Sequence, residues 1–185
     1  MTQFDSAASN SEIALDTVRS QGLGKTVASK PGQPFDNAHA AAIALSTELA
    51  AQPNQETVAP QLWYVQGFLV VPGEPFKPIE HAWLELTTAE QTIRIDPSFR
   101  NLKKPAGDLT YFPAHRLSVG DLQAAIEEAK EDYPEDPPLP IYGRMPYEYY
   151  GDLMLGDRPY QVAYEAAQAH CRSLNRPGKP VLKKP

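Results

Sequence analysis

The sequence predicts an α+β fold, in which one helix near the N-terminus packs on a small antiparallel sheet and additional helices follow towards the C-terminus. An alanine-rich segment over residues 35–52 has the apolar spacing of a helix. Three runs rich in β-branched and aromatic residues follow within residues 62–99. Two segments with helix-start signals come last, at 118–132 and 158–175. Because the strand segments follow one another without helices between them, the sheet is expected to be antiparallel.

The chain length limits the domain organisation. A chain of 185 residues can bury one full hydrophobic core and is short for two ordinary domains. We expect a loose polar arm over residues 1–10, a single α+β domain over 11–175, and a basic, proline-rich tail over 176–185.

The first helices are predicted from their capping residues. Ser11 can cap a short helix, and the glycines and prolines between residues 22 and 34 are expected to interrupt regular structure after it. Asp36 is then a natural N-cap for the long alanine-rich helix over residues 35–52.

The three strand runs, residues 62–71, 79–88 and 92–99, form a predicted antiparallel meander. Alternation along the second strand places His81 and Trp83 on the same face of the sheet.

The loop length of the second hairpin decides which residues face each other. A two-residue loop at Thr88 and Ala89 pairs His81 directly with Asp96, whereas a four-residue loop pairs Trp83 with Asp96 and leaves His81 diagonal to it. In both cases His81 and Asp96 share a face within reach of each other's side chains.

The C-terminal helices have clear start signals. Ser118 is the predicted N-cap of the first, and Asp157 is the predicted N-cap of the second, with Pro159 in its first turn. Residues 133–157 between them read as a long connection rich in proline and aromatic residues.

Charge and composition disfavour several classes of function. Residues 1–175 carry 13 basic against 23 acidic side chains, a net charge of −10, which argues against binding to a nucleic-acid backbone. No run is long and apolar enough for a membrane span, and the N-terminus lacks the layout of a signal peptide, so we expect a cytoplasmic protein without a membrane partner.

The metal-binding residue types predict neither a metal site nor a cofactor. The single cysteine, Cys171, excludes an intramolecular disulfide and a cysteine-rich zinc site. The histidines do not show the paired spacing of metal ligands on one helix. They are His39, His81, His115 and His170.

His81 and Asp96 have the form of the base half of a nucleophilic triad, in which a carboxylate orients an imidazole and stabilises its protonated form. The chain resembles small bacterial and phage proteins of the papain-like or transglutaminase-like kind. These proteins combine a helix-opening Cys-aromatic-x-Asn-Ala with Tyr-Val-x-Gly, His-Ala-Trp and Asp-Pro on strands. The matching stretches here are PFDNA at 34–38, YVQG at 64–67, HAW at 81–83 and DP at 96–97. The resemblance covers roughly residues 30–100.

The resemblance implies a catalytic cysteine at the position where this chain has Pro34, and proline is not a nucleophile. Because proline lacks an N–H, it still fits the first turn of a helix. The expected triad is therefore reduced to His81 and Asp96. The cleft-lining residues that the resemblance implies are Asn37, His39 and Trp83. A purely structural hydrogen bond between His81 and Asp96 is the alternative interpretation of the pair.

Three functional hypotheses follow. The first is a catalytically inactive papain-like or transglutaminase-like domain, a pseudoenzyme that binds a protein or peptide partner as a regulatory or adaptor module. The second is a cysteine-type hydrolase or acyl transferase in which Cys171 serves His81 and Asp96 as a relocated nucleophile. The third is a structural or interaction protein that uses the aromatic segment 133–160. Its expected interface residues are Tyr147, Tyr149 and Tyr150.

Overall fold

The structure is a computed structural model, and it describes residues 13–51, 59–141, 147–149, 152–154 and 157–176. It confirms the predicted α+β class. The helices are α1 Thr17–Thr26, α2 Pro34–Ala51, α3 Phe99–Leu102, α4 Val119–Asp132 and α5 Arg158–Leu174. The strands are β1 Gln61–Val70, β2 Pro78–Thr87, β3 Thr92–Ile95, β4 Thr110–Ser118, β5 Tyr147–Tyr149 and β6 Asp152–Met154. The first four strands form one sheet in the order β3-β2-β1-β4, and β5 pairs with β6 in a separate hairpin.

The predicted first helix is wrong in its position. Ser11 lies outside the described residues, and α1 is capped by Asp16, whose side chain accepts a hydrogen bond from the Arg19 N–H. The helix continues through Gly22 and Gly24, where the sequence predicted an interruption.

Gly24 is tolerated in α1 because the helix lies close to the backbone that follows β3. A Cβ atom at this position would overlap the carbonyl oxygen of Pro97. The absence of a side chain therefore offsets the low helix propensity of glycine at this position.

The long second helix is confirmed, but its predicted N-cap is wrong. Asp36 lies inside the first turn of α2, and the helix begins two residues earlier at Pro34. Proline is favourable there because the N–H groups of the first helical turn have no acceptor within the helix, so the N–H that proline lacks is not needed. Asp36 instead places a negative charge near the positive end of the helix dipole.

The sheet contains the predicted meander and one additional strand. The sequence analysis assigned no strand to β4, which pairs antiparallel with β1 and carries Pro113. The register between β1 and β4 shifts between Gln66 and Gly67. Proline within a run and an interrupted register both weaken the sequence pattern of a strand, and both are typical of an edge strand.

The three long helices cover one face of the sheet. Side chains of α2 and α4 pack there with Tyr64, Ala82 and Leu84, and α5 packs with Phe68 and Val70 of the same face.

The other face of the sheet forms a smaller cluster. Val65, Leu69 and Trp83 lie there with Tyr111, and Leu102 and Leu109 from the connection between β3 and β4 pack against them. Alternation along β2 places His81 on this second face, beside Trp83.

The C-terminal helices start where the sequence predicts. Ser118 accepts a hydrogen bond from the Asp121 N–H at the start of α4, and Asp157 accepts one from the Tyr160 N–H at the start of α5. The short hairpin of β5 and β6 lies inside the segment that was predicted to be a connection without regular structure.

Gly67 provides a test of the close contact between β1 and β4. A Cβ atom at this residue would overlap the carbonyl oxygen of Phe112, a backbone atom that cannot rotate away. We expect Gly67→Ala to lower the free energy of unfolding by about 2 kcal/mol or more in chemical denaturation. Gly22→Ala is the matched control, because open space surrounds Gly22 in α1 and alanine there should stabilise the protein by about 0.5 kcal/mol. Equal effects of the two variants would contradict the described packing at Gly67.

Candidate functional site

His81 and Asp96 form a buried hydrogen bond, as the sequence predicts. The register of β2 and β3 pairs Leu84 with Ile95 and Thr87 with Thr92, which corresponds to the four-residue loop. His81 therefore lies diagonal to Asp96, and its Nε2 atom is 2.8 Å from Asp96 Oδ2.

The Asp96 carboxylate has two further donors that the sequence analysis did not identify. The Tyr111 hydroxyl donates to Oδ2 at 2.9 Å, and the Ser98 N–H donates to Oδ1 at 2.8 Å. Burial, followed by the charge of Asp96, raises the pKa of Tyr111, so its hydroxyl stays protonated and serves as a donor. Both carboxylate oxygens are thus engaged, and Asp96 is fully buried.

Asn37 joins α2 to this network through Ser98. Its side-chain amide donates to Ser98 Oγ at 3.0 Å and to the Lys30 carbonyl at 2.8 Å, and its Oδ1 accepts from the Lys30 N–H at 2.9 Å. Asn37 therefore holds the turn before α2 and the residues after β3 together. In this structure it acts as a structural connector, and its role in lining a cleft stays a prediction.

Trp83 lies in the core beside His81. The two rings are nearly parallel, with centroids 6.4 Å apart, and the indole N–H donates to Glu85 Oε1 at 3.2 Å. Trp83 has no exposed surface and His81 is only 2% exposed. A ligand could therefore not contact either ring without a rearrangement of the surrounding residues.

His39 lies on the side of α2 that faces α4. Burial lowers the pKa of its imidazole, while the nearby Asp36 raises it and Lys130 of α4 lowers it further. The charges that influence His39 thus belong to residues of α2 and α4, Asp36 and Lys130. The structure does not bring His39 together with His81, which points to the opposite face of the sheet.

Pro34 opens α2, as the resemblance implies. Its helix packs on the sheet face of Ala82 and Leu84, while His81 belongs to the opposite face. The body of α2 and His81 thus lie on opposite faces of the sheet, while the first turn of the helix is connected to Asp96 through Asn37 and Ser98.

Cys171 also lies on the helical side of the sheet. It packs in α5 with Phe68 and Val70, and burial raises the pKa of its thiol. A raised pKa disfavours the thiolate, which is the nucleophilic form of cysteine. The structure thus does not bring Cys171 to His81.

The expected interface residues are only partly described. Tyr147 and Tyr149 lie in β5, paired with Met154 and Asp152 of β6, and Tyr150 lies outside the described residues. The interface role of all three stays a prediction.

Tyr111 and Ser98 were missed for identifiable reasons. Tyr111 lies on β4, which the sequence analysis did not assign, so no register connected it with Asp96. Ser98 follows Asp96 by two residues, and an aspartate that accepts from the N–H two residues on is a common local motif that the sequence could have indicated.

Within the described part of the chain, no group of three or more His, Cys, Asp or Glu side chains is arranged to hold a metal ion. A membrane-crossing helix, one both long and apolar enough, is also absent from these residues.

Comparison of the chain with models of known protein families, with curated proteins and with solved structures gave no match.

Asp96 provides a test of the structural role of the network. We expect Asp96→Ala to lower the free energy of unfolding by about 3 kcal/mol, because it leaves His81, Tyr111 and the Ser98 N–H without their buried acceptor. Asp108→Ala is the control, since Asp108 is exposed and its loss should change stability by about 0.5 kcal/mol or less. Chemical denaturation of both variants measures the difference. An Asp96→Ala protein as stable as the wild type would show that the network has no structural role.

Proposed function

We propose that this protein is a non-catalytic α+β domain of papain-like or transglutaminase-like ancestry that binds a protein or peptide partner. The proposal depends on one observation: His81 and Asp96, the pair that the resemblance implies to be catalytic, are shielded from solvent and from substrate. His81 and Asp96 are buried, and the carboxylate is saturated by Tyr111 and the Ser98 N–H. A general base must lie within hydrogen-bonding distance of the group that it deprotonates.

The ancestry rests on four short motifs and their order along the chain. Pro34 opens a helix, YVQG lies in β1, HAW lies in β2, and Asp96 follows β3. The hydrogen bond between His81 and Asp96 is the pairing that such a family would retain. The residue at the position of the nucleophile supports loss of catalysis, because proline has no nucleophilic side chain and the body of α2 packs on the face of the sheet opposite to His81.

The segment between α4 and α5 is favoured as the binding surface by the way its two ends are held. Gln66, fully buried in β1, donates to the Ile141 carbonyl and accepts from the Ile141 N–H at 2.9 Å. At the other end, His115 Nε2 lies 2.8 Å from Asp157 Oδ2. Both anchors are on the helical face of the sheet, and the hairpin of β5 and β6 lies between them. Firm anchors on a rigid scaffold are typical of binding loops.

The alternative hypothesis, in which Cys171 is the nucleophile, predicts a reactive thiol. Labelling of Cys171 tests it. We expect iodoacetamide to label Cys171 slowly at neutral pH and at the same rate in a His81→Ala variant, since the thiol is buried and the sheet separates it from His81. Mass spectrometry measures the rate, and the protein unfolded in guanidinium, in which labelling should be fast, is the control. Fast labelling that depends on His81 would overturn the non-catalytic assignment.

The binding function itself is tested by selection and by activity measurements. From a phage-displayed library of random dodecapeptides, we expect the folded protein to enrich a consensus that binds as a synthetic peptide with a micromolar dissociation constant. We also expect no hydrolysis of p-nitrophenyl acetate and no incorporation of a labelled amine into casein above buffer. Heat-unfolded protein is the control for the selection. Enrichment no greater than that of this control, together with His81-dependent turnover, would favour an enzyme.

A further inference from the structure

Arg94 is a buried cation on the same face of the sheet as His81. Its guanidinium carbon lies 4.4 Å from the centre of the Tyr111 ring and 5.7 Å from that of Trp83, and the residue is 4% exposed. The nearest described carboxylate is Glu85, whose Oε1 atom is 3.7 Å from Arg94 Nη2, which is too far for a hydrogen bond. Glu85 Oε2 in turn accepts from Arg116 Nε at 2.8 Å.

Two donor atoms of Arg94, Nε and Nη2, have no hydrogen-bond partner among the described residues although both are buried. A buried donor without an acceptor is unfavourable, and burial accordingly lowers the pKa of Arg94 while Glu85 raises it. Nε and Nη2 form one edge of the planar guanidinium, and this edge binds both oxygens of a carboxylate at once. Among the described residues this edge makes the 3.7 Å ion pair with Glu85 and no hydrogen bond, so its donors are left for a second carboxylate.

Residues 13–15 lie beside Arg94 in an extended conformation at the edge of the sheet. β3 is the edge strand and has only four residues, and Leu15 pairs with Arg94 in a single parallel bridge. The Arg94 N–H donates to the Ala14 carbonyl at 2.9 Å, and Arg94 Nη1 donates to the Ile13 carbonyl at 3.3 Å. We call residues 13–15 the edge segment. It supplies carbonyl acceptors to Arg94 and leaves the Nε and Nη2 edge unpaired.

We propose that the edge of β3 at Arg94 is a strand-addition site for an extended peptide that carries a carboxylate, which binds in place of the edge segment. The proposal rests on the peptide-binding function proposed above, and it adds a second contact surface at β3, the edge of the sheet opposite β4. It also names the chemistry of the partner. A carbonyl of the peptide replaces the acceptor from Ala14 at the Arg94 N–H, and the carboxylate meets Nε and Nη2. Main-chain pairing of this kind supplies affinity, while the side-chain contact supplies specificity.

Replacement of the edge segment by the peptide is favoured by the carboxylate that the peptide adds. The Arg94 carbonyl also accepts from the Asp16 N–H at 2.9 Å. The backbone bonds nearly cancel when the peptide supplies both a carbonyl to the Arg94 N–H and an N–H to the Arg94 carbonyl. The carboxylate then supplies charge-assisted hydrogen bonds to two buried donors, and these are about twice as strong as neutral ones.

Fluorescence polarisation with defined peptides tests the site. The probe is fluorescein-labelled Val-Thr-Val-Glu-Val-Thr-Val with both ends blocked, and its twin has glutamine in place of glutamate. We expect the glutamate peptide to bind at least roughly tenfold tighter than the glutamine peptide, as charge-assisted bonds to a desolvated arginine require. A third peptide, with glutamine and a free C-terminal carboxylate, shows whether the site binds a side-chain carboxylate or the carboxylate at the end of a chain. Equal affinity of all three peptides would overturn the proposal.

Two variants connect the effect to the site. Arg94→Met keeps an unbranched apolar stem and should remove the preference for a carboxylate. Because this variant removes a core cation and can impair folding, Leu15→Gly provides a second test. It weakens the edge segment without changing Arg94, and we expect it to tighten binding of the glutamate peptide several-fold. Val18→Ala is the matched control, because Val18 is 81% exposed on α1, and it should leave the affinity unchanged.

The outcomes separate this site from the proposed function. If the peptides selected from the library bind equally well to the wild type and to folded Arg94→Met, the binding function stands and the Arg94 site is wrong. If Leu15→Gly leaves the affinity for the glutamate peptide unchanged, the edge segment does not compete for the site and the proposed exchange is wrong. Loss of binding by both peptide sets in Arg94→Met, with gain in Leu15→Gly, supports both proposals together.

Discussion

The Asp96 carboxylate is the group on which the rest of this structure most depends. Its oxygens accept from His81 of β2, from Tyr111 of β4 and from the Ser98 N–H, while its own N–H donates to Ser20 of α1 at 2.9 Å. His81, Tyr111 and Ser20 are distant from Asp96 along the chain, so the carboxylate connects β2 with β4 and the backbone N–H of the same residue connects them to α1. A buried carboxylate is tolerated only when donors saturate it, and here each donor comes from the element that it holds in place.

The same contacts determine what the pair of His81 and Asp96 can do. A catalytic pair needs an imidazole that faces both its carboxylate and a substrate. In this protein the imidazole lies under neighbouring aromatic rings, and the helix that begins at Pro34 packs on the other face of the sheet. Residue types that fit catalysis have thus been placed where they stabilise the fold. This placement is the physical basis for proposing a binding protein instead of an enzyme.

Arg94 presents the opposite situation on the same face. Asp96 is saturated by its donors, whereas two buried donors of Arg94 have no acceptor among the described residues and its Nη2 atom lies 3.7 Å from Glu85. The rings of Tyr111 and Trp83 offset part of the desolvation through cation–π contacts. Arg94 lies in β3, the four-residue edge strand, which pairs with β2 on one side and, among the described residues, only with the edge segment on the other. An unsatisfied cation next to an exchangeable strand edge is the feature that we interpret as a recognition site.

The sequence by itself determined the local structure of this protein and the parity of its strands. Capping at Ser118 and Asp157, the helix after Pro34, and the shared face of His81 and Asp96 follow from short-range patterns, and the structure contains all of them. The tertiary structure alone decided which face of the sheet the helices cover. It also recruited Tyr111 and Ser20 to Asp96, and it separated Cys171 from His81. The physical reason is that periodicity shows which residues share a face, while the choice of face depends on packing between elements that no local pattern records.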